Sequence, residues 1–98
     1  MQFLIIGRDG KDEKALDRRL AARSAHLALG DRMREEGSAL FGVAILDEAD
    51  KMVGSIYVCD FDSREGLDKW LEEEPYVTGK VWQDVEIHKC RVGPSFLS

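Results

Sequence analysis

The sequence predicts an α+β fold with the element order βαββαβ, and three observations lead there. Four short β-prone stretches are separated by one long proline-free stretch, one polar loop and one shorter amphipathic stretch. The length of 98 residues sits near the lower end of the range in which one hydrophobic core suffices, so a single domain over residues 1–98 is expected. The composition, 44% hydrophobic and 34% charged, is that of a chain with enough aliphatic surface to fold.

Gln2 to Gly7 is apolar and partly β-branched and runs into the turn-forming pair Asp9-Gly10, which predicts a first strand. From Asp12 to about Glu36 the chain holds no proline, and helix formers such as Ala15, Leu16, Leu20, Ala22, Leu27 and Met33 predict one long helix. Asp12 is its expected N-cap and Gly37 its expected left-handed terminator. Leu16, Leu20, Leu27, Leu29 and Met33, widened by the short residues Ala22, Ala28 and Gly30, make the stripe expected to lie on the sheet, leaving Arg18, Arg32 and Glu35 in water. Ser38 to Leu46 and Met52 to Phe61 are expected to pair as an antiparallel hairpin across the polar loop Asp47-Glu48-Ala49-Asp50-Lys51. Asp62 or Ser63 is expected to cap a second helix in which Leu67, Trp70 and Leu71 share a face. Pro75 ends that helix by driving Glu74 out of helical geometry. Gln83 to Arg91, where Val85 and Ile87 alternate with polar residues, predicts the last strand before Gly93-Pro94.

With right-handed crossovers this order gives a ferredoxin-like arrangement, a four-stranded antiparallel sheet with both helices on one face. The third strand carries apolar residues on both faces, Ile56 and Val58 on one and Tyr57 and Cys59 on the other. The helices cover one face only, so a two-fold homodimer is expected to cover the other. Cys59 and Cys90 lie on strands that flank the first on opposite sides, which predicts two free thiols.

Charge and spacing exclude several functions. A net charge of −5 with no basic stripe argues against a nucleic-acid partner. No apolar run is long enough to cross a membrane or form a signal-peptide core, so a cytoplasmic location is expected. His26, His88, Cys59 and Cys90 show no metal-ligand spacing, and Gly7-Arg8-Asp9-Gly10 matches no nucleotide-binding pattern, so neither a metal nor a cofactor is expected. Ser55 has no nucleophile-elbow context and reads as at most a pocket-lining hydroxyl.

One set of residues carries further information: Asp9 after the first strand, Arg23-Ser24-Ala25-His26-Leu27 in the long helix, Gly54-Ser55 in the third strand, and Glu74-Pro75-Tyr76-Val77 after the second helix. In order and spacing the set resembles the YCII-related family, with its D, R-x-x-H-L, G-S and D-P-Y/F patterns, over nearly the whole chain. The resemblance implies a dimeric α/β barrel and a catalytic histidine and aspartate; one member removes chloride from a chlorinated hydroxyquinone-type ring. His26 matches the family histidine. Two departures stand out: Glu74 replaces the aspartate of D-P-Y/F, and Phe41-Gly42-Val43 lacks a proline that members often carry.

His26 is the candidate general acid or base, because imidazole titrates near neutrality. Asp9 and Glu74 are its candidate partners, with Asp9 preferred for its short, rigid side chain. Arg23, Ser55 and Tyr76 are candidate substrate contacts, whereas Trp70 is expected in the core. Two functions fit: a cofactor-independent lyase or isomerase acting on a small molecule through a His–carboxylate pair, and a non-catalytic small-ligand or interaction module on the same fold.

Overall fold

The computed structural model describes residues 1–97. Its elements are β1 (Gln2–Asp9), α1 (Ala15–Glu36), β2 (Ala39–Leu46), β3 (Met52–Asp60), α2 (Arg64–Glu73), α3 (Pro75–Thr78) and β4 (Trp82–Cys90), followed by a 3₁₀ turn at Pro94–Phe96. The strands form one antiparallel sheet in the order β2-β3-β1-β4, so the outcome is the expected ferredoxin-like α+β fold. No helix among the described residues is long and apolar enough to cross a membrane.

Strand register decides what each face carries. Phe3 pairs with Cys59 and Ile5 with Tyr57, and these four are buried beneath Met33 of α1 and Leu67 and Trp70 of α2. Leu4 pairs with Val58 and Ile6 with Ile56, which places these four on the opposite face, continued on β2 by Phe41 and Val43. Cys59 lies opposite Phe3, whereas Cys90 lies opposite Gln2 on the far side of β1, so the two cysteines face opposite sides of the sheet and both are free.

The start of α1 differs from expectation, whereas the other element ends follow it. α1 begins at Ala15 rather than Asp12, because the Asp12 carboxylate accepts from the Lys14 amide (3.3 Å) and from both terminal nitrogens of Arg18 (2.6 and 2.9 Å), holding a turn ahead of the helix. Gly37 ends α1 at φ 86°, and the Ser38 amide returns to the Met33 carbonyl at 2.9 Å. Of the two expected caps of α2, Ser63 serves, its hydroxyl oxygen accepting from the Gly66 amide. The hairpin loop is closed by Asp47, whose carboxylate accepts from the amides of Ala49 and Lys51.

The buried stripe of α1 is the largest correction. Leu20 and Leu27 are exposed, and Arg19 and His26 are buried in their place beside Met33, with the expected Ala22 and Leu29 partly buried. The five residues 19, 22, 26, 29 and 33 recur at helical spacing, but the stripe contains a cation and an imidazole. It docks on polar groups of β1, β3 and the α2–α3 junction.

Candidate functional site

Backbone geometry at Glu74 builds the centre of the site. Pro75 holds Glu74 extended (φ −64°, ψ 119°), so this residue closes α2 and opens α3 at once. Its carboxylate turns inward, accepts from the Tyr76 amide at 3.1 Å through Oε1, and through the same oxygen hydrogen-bonds His26 Nδ1. Glu74 is 1% exposed. Tyr76, in the first turn of α3, stacks on the His26 ring with centroids 3.8 Å apart and planes 10° from parallel. The imidazole is thus fixed at one nitrogen and on one face, while Nε2 has no hydrogen-bond partner among the described residues.

Asp9, preferred from sequence as the partner of His26, does something else. Its carboxylate accepts from Arg19 Nη1 at 3.2 and 3.3 Å. Arg19 Nη2 then donates to the Gly54 carbonyl (2.9 Å) and to Ser55 Oγ (2.7 Å), and the Trp82 indole donates to the same hydroxyl oxygen at 3.3 Å. The indole fits there because Gly7 carries no side chain; a Cβ at that position would collide with the ring. Burial pushes the Asp9 carboxyl up from its usual range, outweighing the neighbouring guanidinium. Arg19 is 2% exposed and its guanidinium lies 4.6 Å from the centre of the Tyr76 ring, which links this network to the His26–Glu74 pair.

A cavity of about 380 Å³ opens along α1 and is bounded by β2 and β3. His26, Arg19, Ser55 and Tyr76 line its floor side, while Leu27, Leu40 and Ala44 contribute apolar surface. Arg23 also lines it and makes no ion pair or hydrogen bond among the described residues. The Ser55 oxygen already accepts from two donors, which leaves its own proton to give. The structure therefore brings His26, Glu74, Tyr76, Ser55 and Arg23 to one place, and sets Asp9 behind Arg19 as a supporting carboxylate. Arg19 and Tyr57 stand in no motif of the sequence, and only the packing of α1 on β3 brings them to the site. Among the described residues no cluster of three His, Cys, Asp or Glu side chains is placed to hold a metal.

A ferredoxin-like protein with a half-polar cavity and a carboxylate-anchored imidazole is the class that fold and site define. The chain belongs to the YCII-related family, whose domain matches residues 1–91. It is 30% identical over 93 residues to Protein YciI of Escherichia coli and of Shigella flexneri, covering 89% of this chain and 93% of each relative. Among solved structures, the 5-chloro-2-hydroxyhydroquinone dehydrochlorinase of Burkholderia phenoliruptrix, in complex with 2,5-dihydroxybenzoquinone, superposes with a TM-score of 0.81 at 20% identity, covering 97% of this chain and 98% of that one. A dimeric ferredoxin-like protein of unknown function from a Jannaschia species gives a TM-score of 0.56 at 11% identity, covering 93% and 98% of the two chains.

Proposed function

We propose that this protein is a cofactor-independent enzyme of lyase or isomerase type that moves a proton on a small, oxygenated, anionic molecule, with His26 as the acid–base group. The observation that carries this reading is the hydrogen bond between His26 Nδ1 and the buried Glu74 carboxylate, which leaves Nε2, in a residue that lines the cavity, without a partner among the described residues. A carboxylate bound to Nδ1–H selects the tautomer with a basic Nε2 and stabilises the imidazolium once a proton arrives. Arg23 supplies an uncommitted positive charge for an anionic group, and the Ser55 hydroxyl and Tyr76 ring bound the same space. The similarity to a dehydrochlorinase supports elimination as the reaction class. The working unit in this reading is a cytoplasmic homodimer joined through the open sheet face; the free thiols and the apolar surface of Phe41, Val43, Ile56 and Val58 support it.

A non-catalytic ligand-binding role is favoured by one observation: Asp9, Arg19 and Ser55 are already bound to one another, as in a structural network. Chloride release from 5-chloro-2-hydroxyhydroquinone, run beside thermal-shift binding of 2,5-dihydroxybenzoquinone, separates the two. His26→Gln is expected to cut turnover by roughly 10²–10⁴-fold and keep quinone binding, and Glu74→Gln to lower turnover less. Binding by the wild type with no turnover would favour the ligand-binding role, and turnover unaffected by His26→Gln would remove the acid–base assignment.

A further inference from the structure

The Tyr57 side chain is buried among the core residues of β3, yet its hydroxyl has no hydrogen-bond partner among the described residues. A hydroxyl enclosed in the core without a partner would be costly, but the enclosed unpaired side-chain atoms among the described residues are Arg19 Nε and Trp70 Nε1, and the Tyr57 oxygen is not one of them. This one is not enclosed by protein, since Tyr57 lines the same cavity as His26, with ring centroids 5.9 Å apart in an edge-to-face arrangement.

Two glycines on facing elements keep the space around the phenol clear. A Cβ at Gly30 of α1 would stand 2.8 Å from the Tyr57 hydroxyl, and one at Gly42 of β2 would stand 3.3 Å from the ring. Glycine inside a helix is less favourable than alanine, so a glycine at position 30 gives up helix stability for room at that oxygen. Resting on the acid–base reading of His26, we propose that Tyr57 is a substrate-contacting hydrogen-bond donor, its hydroxyl binding a carbonyl or phenolate oxygen of a ring placed against His26.

The group is suited to donation. Burial, with the carboxylate of Glu74 nearby, pushes the Tyr57 phenol up to about 12, so it keeps its proton at neutral pH and cannot act as the base. When His26 withdraws a proton, negative charge moves onto the conjugated oxygen, and a donor already aimed there stabilises it without reorganising. Tyr57 and Ser55 occupy β3 two residues apart, on one face, so a ring carrying two oxygens meets a donor at each.

Titration of 2,5-dihydroxybenzoquinone, followed by its visible absorption, tests the proposal on the full-length protein. Tyr57→Phe removes only the oxygen, and is expected to leave the melting temperature unchanged or slightly higher, weaken quinone binding by about tenfold or more, and shift the absorption band of the bound quinone. Gly30→Ala, whose Cβ would stand 2.8 Å from the hydroxyl and force it to shift, is expected to weaken binding as well. Equal affinity and an identical band in wild type and Tyr57→Phe would overturn the assignment. Failure of the wild type to bind the quinone would overturn it too, while leaving the His26–Glu74 reading to be judged by chloride release.

Discussion

His26 is placed by Glu74, and Glu74 is placed by Pro75, so the chemistry of the pocket begins with a ring that cannot adopt helical geometry beyond its first turn. Cys59 shows the same dependence on surroundings without any partner: burial on the helix side of β3 pushes its thiol up to about 12 from an ordinary value near 9. The folded chain therefore keeps this proton while the unfolded chain loses it. Stability from this group is complete below pH 9 and is lost as pH rises toward 12; Tyr57 acts in the same direction from pH 10 upward. Melting temperatures measured between pH 8 and 11 are expected to fall, and a thiol reagent at pH 8 to modify Cys90 quickly and Cys59 only on unfolding. Rapid reaction of both in the folded protein would contradict this burial. Of the site, the residues carrying the family pattern are legible in the sequence, because each stands in a short motif. Arg19 is not, since a lone arginine on a helix looks solvated until Asp9 and Ser55, from two different strands, are known to surround it.

α1 shows how a sequence can identify an element correctly and still leave its rotation wrong. Helix formers and Gly37 mark its body and end, and Ala22, Leu29 and Met33 face the core as expected, but counting leucines also selects Leu20 and Leu27, which turn out exposed, and misses Arg19. Taking His26 as a buried position instead puts 19, 22, 29 and 33 on the same face, with Arg19 as its polar neighbour. The helix ends depend on local bonds rather than on periodicity, which is why Asp12 holds a turn with Arg18 and the helix opens later. The short α3 is hidden in the sequence because Pro75 reads as a stop, whereas proline is also suited to the first turn of a helix. Gly37 offers the clearest test at this scale. At φ 86°, and with no heavy atom within 4 Å of where a Cβ would stand, Gly37→Ala meets backbone strain alone. It is expected to cost about 1 kcal/mol, with Gly37→Asn costing less. Urea unfolding of the three proteins checks this, and an alanine variant as stable as wild type would show that the helix end shifts to avoid the strain.

Across the whole molecule, the βαββαβ order follows from strand and turn patterns and is found in the sheet order β2-β3-β1-β4. One face of that sheet is filled by the helices, and the other leaves Val43 and Phe41 56% and 44% exposed beside Ile56, Val58, Leu4 and Ile6. If two copies meet there, Ile56→Lys is expected to convert a dimer to a monomer in sedimentation, whereas Lys89→Glu, on the outer strand, is not; a wild-type monomer at micromolar concentration would end the idea. The sheet order also puts β2 at an edge; its eight residues, ALFGVAIL, include no charge and no proline, and its protection is limited to register shifts between Ala39 and Phe41 and between Ile45 and Leu46 and to Arg34, which donates to the Leu40 carbonyl at 2.8 Å. Natural edges are normally blunted by lysine, proline or a bulge, because an uncharged extended edge is a template for joining other chains. If two copies pair through that face, separating them would do more than halve the mass: it would expose Phe41, Val43, Ile56 and Val58 beside this weakly protected edge, so a dissociating substitution that also brings a positive charge to the sheet is the one expected to leave a protein still in solution.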